Sequence, residues 1–234
     1  MENVMYWNDE KDRTPAFVVP DDVVDLAYRI GCPTLPLDHA HTLSSALAEA
    51  LPWLVDEEYA GVHLIHGAAS GNGWFRPEDT ENELLHLSRR TRLRLRIPKS
   101  RLQDAQALSG HTLDIEGHSL EIGKSDVFLL SSQSTLFSRY VVTREDLDET
   151  QFLEETSAQL KALDIPCRKM LGGITHRMNF PAGPVFTRSL MVADLEPEQS
   201  VHLQQVGLGE GRTHGCGLFL PHKGIKPVKE PDGE

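Results

Sequence analysis

The sequence is poor in cysteine, contains no long apolar run and carries less positive than negative charge. Its three cysteines among 234 residues form no Cys-x-x-Cys pair, so neither a disulfide framework nor a cysteine zinc site is indicated. No apolar run approaches the roughly 20 residues that a membrane helix needs, and the polar start of the chain is unlike a secretion signal. We therefore expect a protein of the reducing cytoplasm with no membrane partner.

The net charge of -12 argues against a protein that coats nucleic acid indiscriminately, because nonspecific binding to phosphates grows with the number of Lys and Arg contacts. The charge is unevenly distributed, however: acidic residues cluster at 9–25 and 145–155, whereas seven basic residues lie within 89–101. A local basic surface that includes Arg89 and Arg90 could therefore bind phosphates despite the overall charge. A solvated basic strand face, balanced by acidic neighbours, explains the same residues equally well.

A glycine-rich stretch near the C-terminus is the most distinctive local feature. Residues 207–223 read GLGEGRTHGCGLFLPHK. Such a loop lets backbone N–H groups approach a large anion such as phosphate, because glycine lacks a Cβ and adopts positive φ without strain. A Walker loop does not fit, since no Gly-Lys-Ser/Thr opens a helix, and a dinucleotide fingerprint does not fit, since no βαβ unit follows. A plain glycine-rich hairpin stays open as the alternative.

Apolar spacing predicts the elements of the first half of the chain. Residues 23–30 have the composition of a buried strand, and apolar residues recur at helical spacing up to Pro52, which predicts a helix capped by Asp38. In residues 92–97, leucine and isoleucine alternate with arginine, which predicts a strand with one basic face. Further elements are expected as a strand over 61–67, a short helix over 100–108 and a strand or hairpin over 111–122. The resulting order, β-α-β-β-α-β, is typical of a ferredoxin-like fold.

The second half of the chain repeats this order loosely. Its expected elements are strands over 127–142, an acidic helix over 147–163, and strands over 167–180, 185–192 and 201–220. We therefore expect an α+β protein of two tandem ferredoxin-like (RRM-like) domains with a C-terminal glycine-rich loop. The expected boundaries are 18–124 for the N-terminal domain and 125–224 for the C-terminal domain, followed by a disordered tail over 225–234.

Two stretches resemble a known protein family. The segment GLGEGRTHGCGLFLPHK resembles the C-terminal glycine-rich signature of the RAMP proteins of CRISPR systems, in particular of the endoribonuclease that cuts the repeat transcript into guide RNAs. Residues 35–43, LPLDHAHTL, are similar to the Leu-Pro-x-Asp-His start of the first helix in one type I branch of that family. The resemblance covers nearly the whole chain, and it implies two ferredoxin-like domains with RNA in or across the cleft between them.

The resemblance implies a metal-independent ribonuclease, without a cofactor, that cleaves CRISPR repeat RNA and leaves 5′-hydroxyl and 2′,3′-cyclic phosphate ends. The implied partners are precursor CRISPR RNA, the 3′ hairpin of the mature guide RNA, and other subunits of a type I effector complex. Candidate RNA contacts come from the arginine span and from the matched loop. They are Arg89, Arg90, Gly207, Gly209, Gly211, Arg212, His214, Gly215, Gly217 and Lys223.

Histidine suits this cleavage, because its pKa lies near neutrality and it can accept or donate a proton. His39 and His41 both lie at the predicted helix start, where the helix dipole favours neutral imidazole and attracts phosphate. Periodicity favours His41, since His39 aligns with the buried stripe and His41 with the polar side. The family signature favours His39, which we therefore rank first as the catalytic residue, with His41 close behind. Without the resemblance, His39 is better explained as a helix-start histidine bonded to a neighbouring carbonyl.

Three alternatives stay open from the sequence. The second catalytic group, which would stabilise charge on the phosphorane, could be Tyr28, Ser45 or Arg212. The Asp-His-x-His sequence at residues 38–41 could instead belong to the metal site of a hydrolase. A RAMP subunit that holds guide RNA without cutting it would share both the folds and the glycine-rich loop.

Overall fold

The computed structural model describes residues 17–67 and 83–222. The candidate RNA contact Lys223 and the expected tail over 225–234 lie outside the described residues. No helix in the described part of the chain combines the length and the apolar composition that crossing a membrane requires.

The first half of the chain forms an antiparallel sheet of five strands, in the spatial order β3-β5-β1-β7-β6. The strands are β1 (Val23–Gly31), β3 (Gly61–His63), β5 (Arg92–Pro98), β6 (Thr112–Ile115) and β7 (His118–Leu129). The helices are α1 (Ala40–Ala50) and α2 (Leu102–Gln106), with short 3-10 helices at Pro52–Val55 and Lys99–Arg101. Two short strands, β2 (Thr34–Pro36) and β4 (Leu84–His86), pair with each other as a separate two-stranded sheet.

The second half forms an antiparallel sheet of four strands, in the order β11-β8-β10-β9. The strands are β8 (Leu136–Thr143), β9 (Lys169–Phe180), β10 (Gly183–Ala193) and β11 (Leu220–Pro221). The helices are α3 (Glu149–Ala162) and α4 (Pro197–Val206), with a 3-10 helix at Arg212–His214. Asp148 caps α3, since its side chain accepts from the Gln151 N–H at 2.8 Å, and this satisfies one of the free N–H groups at the helix start.

Both halves follow the predicted β-α-β-β-α-β order. In the second sheet, the spatial order β11-β8-β10-β9 places the last strand of the unit beside its first strand, followed by the third and the second. In the first sheet, β7-β1-β5-β3 has the same arrangement, and β6 is added at the edge beside β7. The predicted α+β fold of two ferredoxin-like units is therefore confirmed. The predicted boundary between residues 124 and 125 falls inside β7, whose pairing with β1 continues to Leu129. The chain passes from one sheet to the other between Leu129 and Leu136.

The two halves share a core. Tyr140, Met178 and Cys216 come from the second half, yet they belong to the buried cluster that packs on the first sheet with Leu43 and Leu93. Burying apolar surface from both halves together contributes roughly 25 cal/mol per Å² to stability. We infer that the two sheets depend on each other for part of their stability.

Two local predictions are wrong. Asp38 does not cap α1; the N-cap is His39, which makes no side-chain cap bond, while Asp38 Oδ2 accepts from the Asn179 N–H of β9 at 2.8 Å. The strand expected over 201–220 is mostly the helix α4 and the glycine-rich loop. Pro197 occupies the first helical turn and Glu196 forms a capping box with Gln199, and both features favour a helix start.

The predicted basic face of β5 is only partly solvated. Arg96 has an exposed fraction of 0%; its Nε and Nη2 donate to Asp25 of β1 at 2.8 and 3.1 Å, and its Nη1 donates to the Gln204 carbonyl of α4 at 2.8 Å. Burial by itself would raise the pKa of the Asp25 carboxyl, but the Arg96 guanidinium and His63 together outweigh this and hold that pKa well below its ordinary value. Arg96 is therefore a structural cation that links β1, β5 and α4.

The glycine-rich loop after α4 packs directly against the first sheet. Its glycines at 207, 209, 211, 215 and 217 all have positive φ. A Cβ on Gly215 would overlap the Leu64 side chain, which follows β3, and a Cβ on Gly217 would overlap the Leu208 carbonyl oxygen. The Gly217 N–H donates to the Tyr140 carbonyl of β8 at 2.7 Å. The glycines are thus required by backbone conformation and close packing, whatever the loop binds.

We predict that Gly215→Ala destabilises the fold more than the matched control Gly209→Ala. Both positions have positive φ, at +83° and +73°, so both substitutions carry a similar backbone cost of about 1–2 kcal/mol. Only the Gly215 methyl group would meet Leu64, whereas nothing lies within 4 Å of a Cβ at Gly209. The additional overlap should cost a further 1–3 kcal/mol, roughly. Urea unfolding measures both variants, and equal losses of stability would contradict the packing described for the loop.

Candidate active site

The start of α1 and the glycine-rich loop meet, and histidines from both lie at the contact. The buried residues Ala40, Leu43 and Leu47 fix one face of α1 in the core. His39, the N-cap, and His41, in the first turn, therefore lie on different sides of the helix start. The two candidate catalytic histidines consequently have very different surroundings.

His39 is buried, with an exposed fraction of 2%. Its Nδ1 lies 2.9 Å from the Pro36 carbonyl oxygen and its Nε2 lies 3.2 Å from the Ile65 backbone nitrogen. Since a carbonyl only accepts and an N–H only donates, the ring is the neutral form with the proton on Nδ1. Both nitrogens are engaged with backbone groups, so the geometry does not favour His39 as the group that exchanges protons with RNA.

His41 is half-buried and lies in an aromatic cluster. Its ring centroid is 6.3 Å from that of His214 in the glycine-rich loop, with only 6° between the ring planes. Phe180, at the end of β9, meets both rings edge-on, with centroids 5.8 Å from His41 and 5.0 Å from His214. The structure thus brings together one candidate from each of the two stretches that stood out in the sequence.

The environment of His214 lowers its pKa. Burial disfavours the charged imidazolium, and the nearby His41 adds repulsion whenever it is protonated. The Thr213 hydroxyl lies 3.4 Å from His214 Nδ1. A pair of imidazoles at this separation therefore favours states in which at most one ring carries a positive charge.

A cavity of about 710 Å³ opens beside the cluster, between the glycine-rich loop, the turn from β9 to β10 and the segment before β3. His214 and Phe180 lie in its wall. Its rim also carries the carboxylates of Asp56, Glu58 and Glu210. Since these negative charges would repel a phosphate, that rim is poorly suited to hold an RNA backbone.

Arg212 holds the loop in place. Its Nε donates to the Ala60 carbonyl at 3.1 Å, and its Nη2 donates to the carbonyls of Tyr59 and Gln205 at 3.0 and 2.8 Å. Burial, with a further contribution from the positive charge of Arg96, lowers the pKa of Arg212 to about 10. At neutral pH the side chain is still charged, and most of its donors are directed at backbone carbonyls.

The remaining candidate RNA contacts divide into two groups. The loop N–H groups of residues 207, 208 and 214–217 donate to carbonyls within the protein, which limits how the loop backbone could cradle a phosphate. Arg89 and Arg90 lie exposed in the turn between β4 and β5. Among the described candidate RNA contacts, these two arginines therefore direct their charge to solvent.

Neither Tyr28 nor Ser45 joins the histidine cluster. Tyr28 is fully buried in β1, its hydroxyl donates to the Ala105 carbonyl, and burial raises its pKa well above the ordinary value. Ser45 is exposed on α1. Phe180, by contrast, was not singled out from the sequence; the only local signal was an aromatic residue directly before the Pro-Ala-Gly turn at 181–183.

The Asp-His-x-His segment at residues 38–41 does not form a convergent set of ligands. Asp38 accepts a hydrogen bond from the backbone of β9, and the two ring nitrogens of His39 are bonded to the backbone of Pro36 and of Ile65. Within residues 17–67 and 83–222, no group of three or more His, Cys, Asp or Glu side chains is arranged to hold a metal ion.

The chain resembles known proteins in both sequence and structure. Residues 24–224 match the family described as "Cas6 Crispr". A "CRISPR-associated endonuclease Cas6" from Myxococcus xanthus is 32% identical over 198 residues, which cover 85% of this chain and 81% of that protein.

Two solved structures share the fold at low identity. A Cas6-related protein from Pyrococcus furiosus has a TM-score of 0.54 at 13% identity, covering 89% of this chain and 100% of the other. A structure described as "an RAMP protein binding different RNA substrates" has a TM-score of 0.55 at 13% identity, covering 84% of this chain and 98% of the other. On the family match and the identity to the Myxococcus protein, the chain belongs to the Cas6 family.

Proposed function

We propose that this protein is a metal-independent endoribonuclease that cleaves CRISPR repeat RNA to release guide RNAs. The observation that carries the proposal is the pair of facing imidazoles, His41 and His214, at the junction of α1 and the glycine-rich loop. The sequence relative from Myxococcus xanthus is named an endonuclease, which supports the same activity. The product keeps its 3′ hairpin bound to the protein, which becomes a subunit of a type I effector complex.

The proposed reaction uses the RNA's own 2′-hydroxyl. A base removes the 2′-hydroxyl proton, the oxygen attacks the adjacent phosphorus in line, and the products carry a 2′,3′-cyclic phosphate and a 5′-hydroxyl. We assign His41 as a reacting group, either base or acid, because its ring is half-buried and lies in the first turn of α1. The helix N-terminus also favours a phosphate at this position.

His39 has a different role in this proposal. By joining Pro36 before the helix to Ile65 after β3, it fixes the start of α1 and hence the position of His41. It is a positioning residue in this arrangement. The proposal thus reverses the order in which the family signature ranks the two histidines.

The proposed RNA contacts come from two places. The turn between β4 and β5 supplies positive charge, and the glycine-rich loop contributes through its backbone conformation. Exposed Arg89 and Arg90 would bind phosphates of the repeat, as Lys223 would beyond β11. The glycines between 207 and 217, together with Arg212, would act by holding the loop in the conformation that presents His214 to the RNA. A small number of phosphate contacts is compatible with the negative net charge, because affinity depends on the local contacts.

The proposal predicts cleavage that needs the 2′-hydroxyl and no divalent metal. Repeat RNA should be cut in EDTA, and the same RNA with a 2′-deoxy nucleotide at the scissile position should bind but stay intact. Gel analysis and mass spectrometry of the products measure both results. Loss of cleavage in EDTA would instead support a metal-dependent hydrolase, and binding without cleavage of either RNA would identify a subunit that only holds guide RNA.

The two histidines at the start of α1 should respond differently to substitution. We expect His41→Ala to slow cleavage by about 10²- to 10⁴-fold, the usual contribution of a proton-transferring side chain, with little change in stability. His39→Ala should instead lower the free energy of unfolding by about 1–3 kcal/mol, because it leaves buried backbone groups without partners, and should keep more activity while folded. Urea unfolding and single-turnover cleavage separate the effects, and a folded but inactive His39→Ala beside an active His41→Ala would reverse the assignment.

A further inference from the structure

We infer that His214 is a second catalytic residue and acts with His41, so that one imidazole accepts the 2′-hydroxyl proton while the other donates a proton to the departing 5′-oxygen. This inference rests on the proposed ribonuclease function and deepens it. The sequence presents His214 only as an RNA contact in the glycine-rich loop. It is the structure that places its ring against that of His41.

The geometry suits two proton transfers at one phosphodiester. The two rings lie nearly parallel, 6° apart in orientation, with centroids separated by 6.3 Å. Phe180 meets both rings edge-on and so fixes their orientation by packing. In an in-line displacement the attacking and leaving oxygens lie on opposite sides of phosphorus, so the base and the acid must approach from two sides. Two imidazoles from separate elements can do so, whereas one histidine cannot serve both oxygens at once.

Hydrogen bonds of the glycine-rich loop hold His214 in place. The Gly215 N–H donates to the Arg212 carbonyl and the His214 N–H donates to the Gly211 carbonyl, at 3.2 and 2.9 Å. Arg212 in turn anchors this 3-10 turn to the segment before β3. On the ring itself, Nδ1 faces the Thr213 hydroxyl, and among the described residues Nε2 has no hydrogen-bond partner. Nε2 is thus the nitrogen that can reach a substrate oxygen.

The surroundings of the pair oppose a positive charge on both rings at once. Burial and the proximity of His41 both oppose a positive charge on His214. The doubly protonated pair is therefore disfavoured, and the inferred reaction starts from one neutral and one protonated ring. Acid–base catalysis begins in this state and ends with the proton on the other ring.

The reaction balances without any further reactant. The O2′–P bond forms as the 2′-hydroxyl proton passes to the neutral imidazole, and the P–O5′ bond breaks as the imidazolium gives its proton to O5′. The pair gains one proton and loses one, and the cyclic phosphate keeps the single negative charge of the original diester. Proton exchange with water then restores the starting state.

The test compares ordinary repeat RNA with RNA that carries sulfur in place of the 5′-bridging oxygen at the scissile phosphate. A thiolate leaves without being protonated, so the modified RNA needs the base and not the acid. On ordinary RNA, His41→Ala and His214→Ala should each be about 10²- to 10⁴-fold slower than the wild type. On the sulfur-containing RNA, the variant that lacks the acid should recover most of the lost rate, and the variant that lacks the base should not.

Three controls keep the result specific. His214→Gln retains a polar side chain beside Thr213 but cannot relay a proton. It should therefore show the slow cleavage expected for His214→Ala, and it keeps the test valid if the alanine variant folds poorly. His202→Ala removes an exposed histidine of α4 and should cleave both RNAs at the wild-type rate. Unfolding midpoints and RNA affinity establish that each variant is folded and binds.

Rescue confined to one of the two histidine variants supports the pair and assigns the acid. The inference is overturned if the His214 variants cleave ordinary RNA at the wild-type rate. It is also overturned if the sulfur-containing RNA restores cleavage by both histidine variants or by neither. In each case the wild type still cleaves, so the proposed function stands. Absence of cleavage by the wild type would overturn the proposed function itself.

Discussion

The close approach of the glycine-rich loop to the segment around β3 is the contact on which the arrangement of the site depends. Gly215 lies directly against Leu64, and Arg212 donates to the carbonyls of Tyr59 and Ala60. Both contacts join the C-terminal part of the chain to the first sheet. Because His214 lies between Arg212 and Gly215, the same contacts place it beside α1. The site thus follows from how the two halves pack together, and neither half contains it alone.

Buried positive charge has a structural role in this packing. Arg96 binds Asp25 and the Gln204 carbonyl inside the protein, and Arg212 binds three backbone carbonyls. Removing one partner of the buried Arg96–Asp25 pair would be strongly destabilising, because the remaining charge would be buried without compensation. The cations that remain for RNA are fewer than the sequence suggests.

Much of the fold could be predicted from the sequence, because its signals are local. The alternation of arginine with leucine predicts the strand β5, and apolar residues at helical spacing predict the helix α1. The segment 201–220 is predicted as strands around the glycine-rich loop, whereas the capping box at Glu196 and the proline in the first turn favour the helix that forms. Asp38 was expected to cap α1, but it accepts from the Asn179 N–H, more than a hundred residues along the chain. A long-range bond of this kind leaves no local signal.

The site likewise combines features that local sequence predicts with features that depend on long-range packing. Helical periodicity places His39 on the buried stripe, and its 2% exposure agrees. The partners of His41 could not be predicted, since His214 and Phe180 lie far along the chain and meet it only through the packing of the two halves. The glycine spacing indicated a special loop; it did not indicate that much of the loop's hydrogen-bonding capacity is used within the protein.

The most direct measurement is a crystal structure of the protein with repeat RNA that carries a 2′-deoxy nucleotide at the scissile position. Our account predicts the scissile phosphate between the imidazoles of His41 and His214, within hydrogen-bonding distance of both, with His39 still bonded to Pro36 and Ile65. A scissile phosphate bound on another surface, or one that contacts a His39 released from its backbone partners, would contradict it.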